Sequence, residues 1–141
     1  MRPTINDQVD GARRLLTGLL EDDEVPAAAC ETLTNARRLL DQIGRSWAAL
    51  PGFYARDNTE LAQLLQRMRT AVPMDVAARI AKVANAPAPP AVDVNAGASH
   101  NAELRQSLSD LLHAMPAGPG RDAARGEIGD YLRRRMAADP A

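Results

Sequence analysis

The chain has 141 residues, a length that fits one domain. Hydrophobic residues make up 45% of it but aromatics only 3%, so Leu, Ala, Val, Ile and Met must build the core, a composition that suits helices. The formal charge of −1, from 17 basic and 18 acidic residues, argues against a nucleic-acid binder, and the single cysteine, Cys30, excludes an internal disulfide framework.

The N-terminus lacks the apolar run of a signal peptide, and no segment is long and apolar enough to span a bilayer. A cytoplasmic protein without a membrane partner is expected. The first helix is predicted to start at Thr4, where "TIND" has capping-box spacing between Thr4 and Asp7. Ile5, Val9, Ala12, Leu16 and Leu19 then draw one apolar face, widened by Leu15 and Leu20. The acidic run Glu21 to Glu24 and Pro26 end it.

A second helix follows, with Pro26 in its first turn and the acids near its positive end. Ala29, Leu33, Ala36, Leu40, Ile43, Trp47 and Leu50 form a heptad-like stripe, and Pro51 with Gly52 is expected to stop it. The stretch "PGFYARDN" reads as a loop, with Asp57 or Asn58 capping a third helix along Leu61, Leu65, Met68 and Val72. Pro73 breaks that run, and "MDVAARIAKVANA" predicts a short helix with Val76, Ile80, Val83 and Ala84 inward.

Residues 87–98 are rich in proline and small side chains and read as a semi-extended linker. Ser99 is the expected cap of the next helix, whose face carries Leu104, Leu108, Leu111 and Met115. After "PAGPG", a last helix from about Arg121 to Met136 turns Ala124, Ile128, Tyr131 and Leu132 inward. The expected fold is all-α: a small up-and-down bundle of four main helices plus shorter pieces. It comprises an N-terminal core over residues 1–86, the linker 87–98, and a C-terminal helical pair over 99–141 packed on the same single domain.

Catalytic chemistry is sparse. His100 and His113 have no partner donors at metal-ligand spacing. Cys30 lies in the first turns of a helix, but Glu31 adjoins it and no histidine is near in sequence, so it reads as a small packing residue. The glycines of "PAGPGRDAARG" lack GxxxxGK[ST] and read as turn punctuation. The acids Glu21 to Glu24 lack calcium-loop spacing, and Arg133 to Arg135 suit the negative end of a helix. No catalytic residue, metal or cofactor is expected. Aromatic area concentrates at Trp47, Phe53 and Tyr54; Trp47 continues a core stripe, while Phe53 and Tyr54 fit either a partner surface or a bundle end.

The pentapeptide "ARRLL" occurs at residues 12–16 and 36–40. Aligning the copies superposes the apolar stripes, and the arginines flank them, so the repeat reads as two core-lining helices rather than a phosphate clamp. The candidate partner surface is Asn35, Arg37, Arg38, Phe53 and Tyr54.

The first third of the chain resembles a small bacterial helical family. The matching positions are Arg2, Pro3, the acids Glu21 to Glu24, Val25, Pro26, Asn35 and Ala36. It departs from the family at Leu20, where a Phe is usual, and at "AAACETL", where a Gly-Arg-Phe-His-like stretch is usual. The resemblance implies an accessory subunit for an aminoglycoside-phosphotransferase-like kinase acting on hydroxyacyl-CoA substrates, encoded beside it and an acyl-CoA dehydrogenase. The chain itself has no HxDxxxxN loop or other kinase motif. A non-catalytic accessory protein is therefore the expectation, with a self-associating helical scaffold as the alternative.

Overall fold

A computed structural model describes residues 5–140, and the fold is all-α, with no strand among them. The elements are α1 (Ile5–Leu20), α2 (Ala27–Met68), a 3-10 turn (Arg69–Ala71), α3 (Met74–Ala84), α4 (Val94–Ala114) and α5 (Pro119–Ala138). The Thr4 cap and the family-matching Arg2 and Pro3 lie outside the described residues. By contact density the chain divides into two units, one of residues 1–49 with 140–141, the other of residues 50–139.

The first unit is a helical hairpin. The acidic run makes its turn: the Asp22 carboxylate accepts from the Glu24 amide at 2.9 Å. The Pro26 carbonyl accepts from the amides of Ala29 and Cys30, so Pro26 sits just ahead of α2. Val9 packs where a Gly44 side chain would be, and Arg13 pairs with Asp41 at 2.5 Å. As α1 advances its partners on α2 recede, so the helices are antiparallel. No residue from Ile5 to Ala49 is buried.

The second unit holds the hydrophobic core. Leu61, Leu64, Leu65 and Met68 from α2 meet Val76 and Ile80 from α3, Leu104, Leu108 and Leu111 from α4 with Met115 just past its end, and Ala124, Ile128 and Tyr131 from α5. The stripe predicted for α4 is the one buried, and of the stripe predicted for α3 Val76 and Ile80 are buried while Val83 and Ala84 are half-buried against the core. On α5 the buried row runs 124–128–131, and Leu132 is 42% exposed rather than inward.

Two boundaries differ from the sequence reading. The loop at Pro51–Asn58 and the break between second and third helices do not exist: α2 runs through Pro51 without interruption. An internal proline removes one amide donor and costs about 3 kcal/mol. Phe53, Asp57, Leu61, Leu64 and Met68 recur at helical spacing and are all buried, so only a helical backbone presents them together. Burying Phe53 alone returns about 1.5–3 kcal/mol.

The linker is shorter than expected. Residues 94–98 form the first turns of α4, and its cap is Asp93, whose carboxylate accepts from the Ala96 amide at 2.9 Å, not Ser99. Gly97 is buried because a Cβ there would stand 3.3 Å from Tyr54 Cβ. At the start of α5, Gly118 adopts φ 141°, a conformation L side chains rarely adopt, and Pro119 then enters the first turn.

Candidate functional site

The most distinctive group in the second unit is a buried polar cluster centred on Asp57. Its position follows from the α2 stripe: Asp57 precedes Leu61 by one turn, so the stripe that buries Leu61 also buries the carboxylate. Asn101 stands in the same relation to Leu104 on α4, and Arg135 follows Tyr131 by four residues on α5.

Both Asp57 oxygens are occupied. Oδ1 accepts from the Tyr131 hydroxyl at 2.8 Å. Oδ2 accepts from Asn101 Nδ2 at 2.6 Å and from Arg135 Nε at 3.0 Å. Asn101 Nδ2 also donates to Asn58 Oδ1 at 2.8 Å, and Asn58 Nδ2 donates to the Gly97 carbonyl at 3.0 Å. The cluster thus joins α2, α4 and α5 through side chains that would each cost about 1–3 kcal/mol if buried without partners.

Its charge is balanced internally. The Arg135 side chain is only 16% exposed, pairs with Asp57, and lies 5.2 Å from the centre of the Phe53 ring. Phe53 in turn meets Tyr54 edge-on at 5.4 Å. Burial, followed by the hydrogen bond from Tyr131 to Asp57 and the charge of that carboxylate, raises the Tyr131 phenol well above its ordinary value; Arg135 opposes the rise. The phenol is therefore held as a neutral donor. Every ligand position on the carboxylate facing a donor is filled, which suits a clasp between helices more than a catalytic base.

A cleft of about 150 Å³ opens beside the cluster, lined by Phe53, Arg56, Glu60, Arg134 and Arg135 among others. Two of its arginines are engaged: Arg134 Nε donates to Glu60 at 2.9 Å, and Arg135 holds Asp57. Arg133 pairs with Asp130. The Arg133–Arg135 run is thus consumed by ion pairs as well as lying near a helix end. A smaller cleft of about 70 Å³ lies where Pro89 and Pro90 pass over Tyr54 and Asn58.

The sequence-predicted partner residues fall in both units. Asn35 and Arg38 are exposed and Arg37 is half-buried in the first unit. In the second, Tyr54 is half-buried against Gly97, and Phe53 is 4% exposed. Phe53 is thus a core ring and not an exposed anchor, because α2 continues through it and Arg135 covers its face. Trp47 is half-buried. His100 is half-buried, His113 is exposed and bonds its own helix, and Cys30 is half-buried with Sγ 3.8 Å from the Val25 carbonyl.

Asp57, Asn58 and Asn101 were missed as a cluster because Asp57 and Asn58 read as caps. The available signal was a polar residue standing on an apolar stripe one turn from a leucine. Among the described residues no group of three or more His, Cys, Asp or Glu is placed to hold a metal, and no helix is long and apolar enough to cross a membrane. No family model, no curated protein and no solved structure matches this chain.

Proposed function

We propose that this chain is a non-catalytic helical accessory protein of the cytoplasm, which works by docking other protein through its N-terminal hairpin. The observation that carries the reading is the hairpin itself. Its helices have strong apolar stripes, yet none of the described residues before Leu50 is buried, while Leu15 is 73% and Leu39 is 60% exposed. Apolar faces of this kind gain stability when another surface covers them. The second unit, by contrast, spends its polar groups on internal bonding around Asp57.

The resemblance at Glu21 to Pro26 and Asn35–Ala36 is what supports a phosphotransferase-family kinase acting on hydroxyacyl-CoA substrates as the partner. Asn35, Arg37 and Arg38 would meet that enzyme. Co-expression with such a kinase tests it: the two chains should co-elute in size-exclusion chromatography and kinase turnover should change. Independent elution with unchanged turnover removes the kinase as partner. The second reading, a self-associating helical scaffold, is favoured by the exposed apolar side chains of Ile5, Leu15, Leu19, Leu39 and Ile43 on the hairpin.

A further inference from the structure

The Val9–Gly44 and Arg13–Asp41 contacts fix which sides of α1 and α2 face each other. At 3.6 residues per turn the remaining positions follow. Ile5, Leu19 and Leu15 lie on one side of α1, about 60°, 100° and 140° from its contact line with α2. Ile43 lies about 130° off the contact line of α2 in the same rotational sense, and Leu39, nearly half a turn off, stands at the outer edge of that side. Because the helices are antiparallel, equal senses of rotation bring both sets to the same side of the hairpin. All five side chains are exposed.

The positions interleaved with them on that side, including Ala12, Thr32 and Ala36, carry no charge. Asp10, Arg14, Arg38 and Arg45 fall on the opposite side, where a polar groove is lined by Asn6, Asp10, Arg13, Asp41 and Arg45 among others. The hairpin is therefore a two-helix layer with one uncharged apolar side and one charged side.

We propose that the uncharged side is covered by a second copy of this chain, the two hairpins packing face to face as a four-helix layer pair. This rests on the docking role of the hairpin: a second copy covers its uncharged side, and Asn35 and Arg38, which lie off that side, are left for the enzyme. Charge is the first argument. A two-fold interface sets a surface against itself, so a charged face would oppose like charges, and this face has none to oppose. Area is the second. Sixteen residues of α1 are about 24 Å long, and two packed helices are about 20 Å wide. Two such faces together bury on the order of 1,000 Å², the lower bound for a stable specific interface.

Light scattering on the full chain tests the proposal. The expected mass is twice the 15.1 kDa of one chain, falling toward 15.1 kDa on dilution. The double variant Leu19→Glu with Ile43→Glu should weaken self-association at least a hundredfold, and Arg14→Glu with Arg45→Glu on the charged side should leave it within threefold of the parent. A parent mass of 15.1 kDa at millimolar concentration overturns self-pairing without reference to any variant's folding, as does equal weakening by both double variants. A monomer that still co-elutes with the kinase would remove the second copy and keep the accessory role; a dimer that ignores the kinase would do the reverse.

Discussion

The Tyr131 hydroxyl donates to Asp57 Oδ1 at 2.8 Å across 74 residues of chain. That bond, with those from Asn101 and Arg135, ties α5 and α4 to α2 through one carboxylate. Asp57→Ala should therefore lower the unfolding free energy by about 3–5 kcal/mol, since it leaves a nearly buried guanidinium only its 3.6 Å contact with Asp139 and takes an acceptor from both Tyr131 and Asn101. Urea denaturation followed by circular dichroism measures it. A loss below about 1 kcal/mol, the scale of an exposed ion pair, would contradict the clasp.

Alkaline pH probes the same bond from the other side. The Tyr131 phenol is raised above its ordinary 10.0 in the folded chain, first by burial and then by Asp57. Above pH 10 the unfolded chain gives up this proton while the folded chain keeps it, so the folded state binds more protons and stability falls as pH rises. Below pH 10 the contribution is fully present. Tyr131→Phe should flatten the decline above pH 10 and cost about 1 kcal/mol at neutral pH. Thermal melts from pH 7 to 11 provide the comparison.

Two helical glycines should respond with opposite signs. Gly97 stands 3.3 Å from Tyr54 Cβ once a Cβ is added, so Gly97→Val forces α4 away from α2 and should destabilise by about 1–3 kcal/mol. Gly126 has nothing within 4 Å, and Gly126→Ala should stabilise α5 by about 0.5–1 kcal/mol. Matching signs in chemical denaturation would mean that close approach at Gly97 is unimportant.

Pro51 interrupts the amide ladder of α2 without ending the helix. Pro51→Ala restores one backbone donor but gives the unfolded chain more freedom, and a net gain of about 1–2 kcal/mol is expected. Helical ellipticity should rise slightly or stay level. A fall in both stability and ellipticity would show that the proline is needed for the local backbone.

The stripes Val76–Ile80 and Leu104–Leu108–Leu111–Met115 were legible in the sequence because helical periodicity is a local property: residues three and four apart share a face whatever surrounds them. The same locality explains what was misread. Pro51 and Gly52 are valid stop signals in isolation, and Asp57, Asn58 and Ser99 are valid caps. What overrides them comes from far along the chain. Phe53 is buried in part because Arg135 lies over it, and Asp57 is acceptable in a helix interior because donors at 101, 131 and 135 reach it.

The sequence by itself thus determined an all-α chain, core aliphatic residues on α2, α3 and α4, and the apolar stripes of the ARRLL helices. Only the tertiary structure decided that α2 passes through Pro51, that Asp57 binds three helices together, and that no stripe residue of the hairpin becomes fully buried within one chain. The physical reason is range. Periodicity and capping act over a few residues, whereas the cost of a missing amide or a buried carboxylate is offset by groups that folding brings from 44 and 74 positions away.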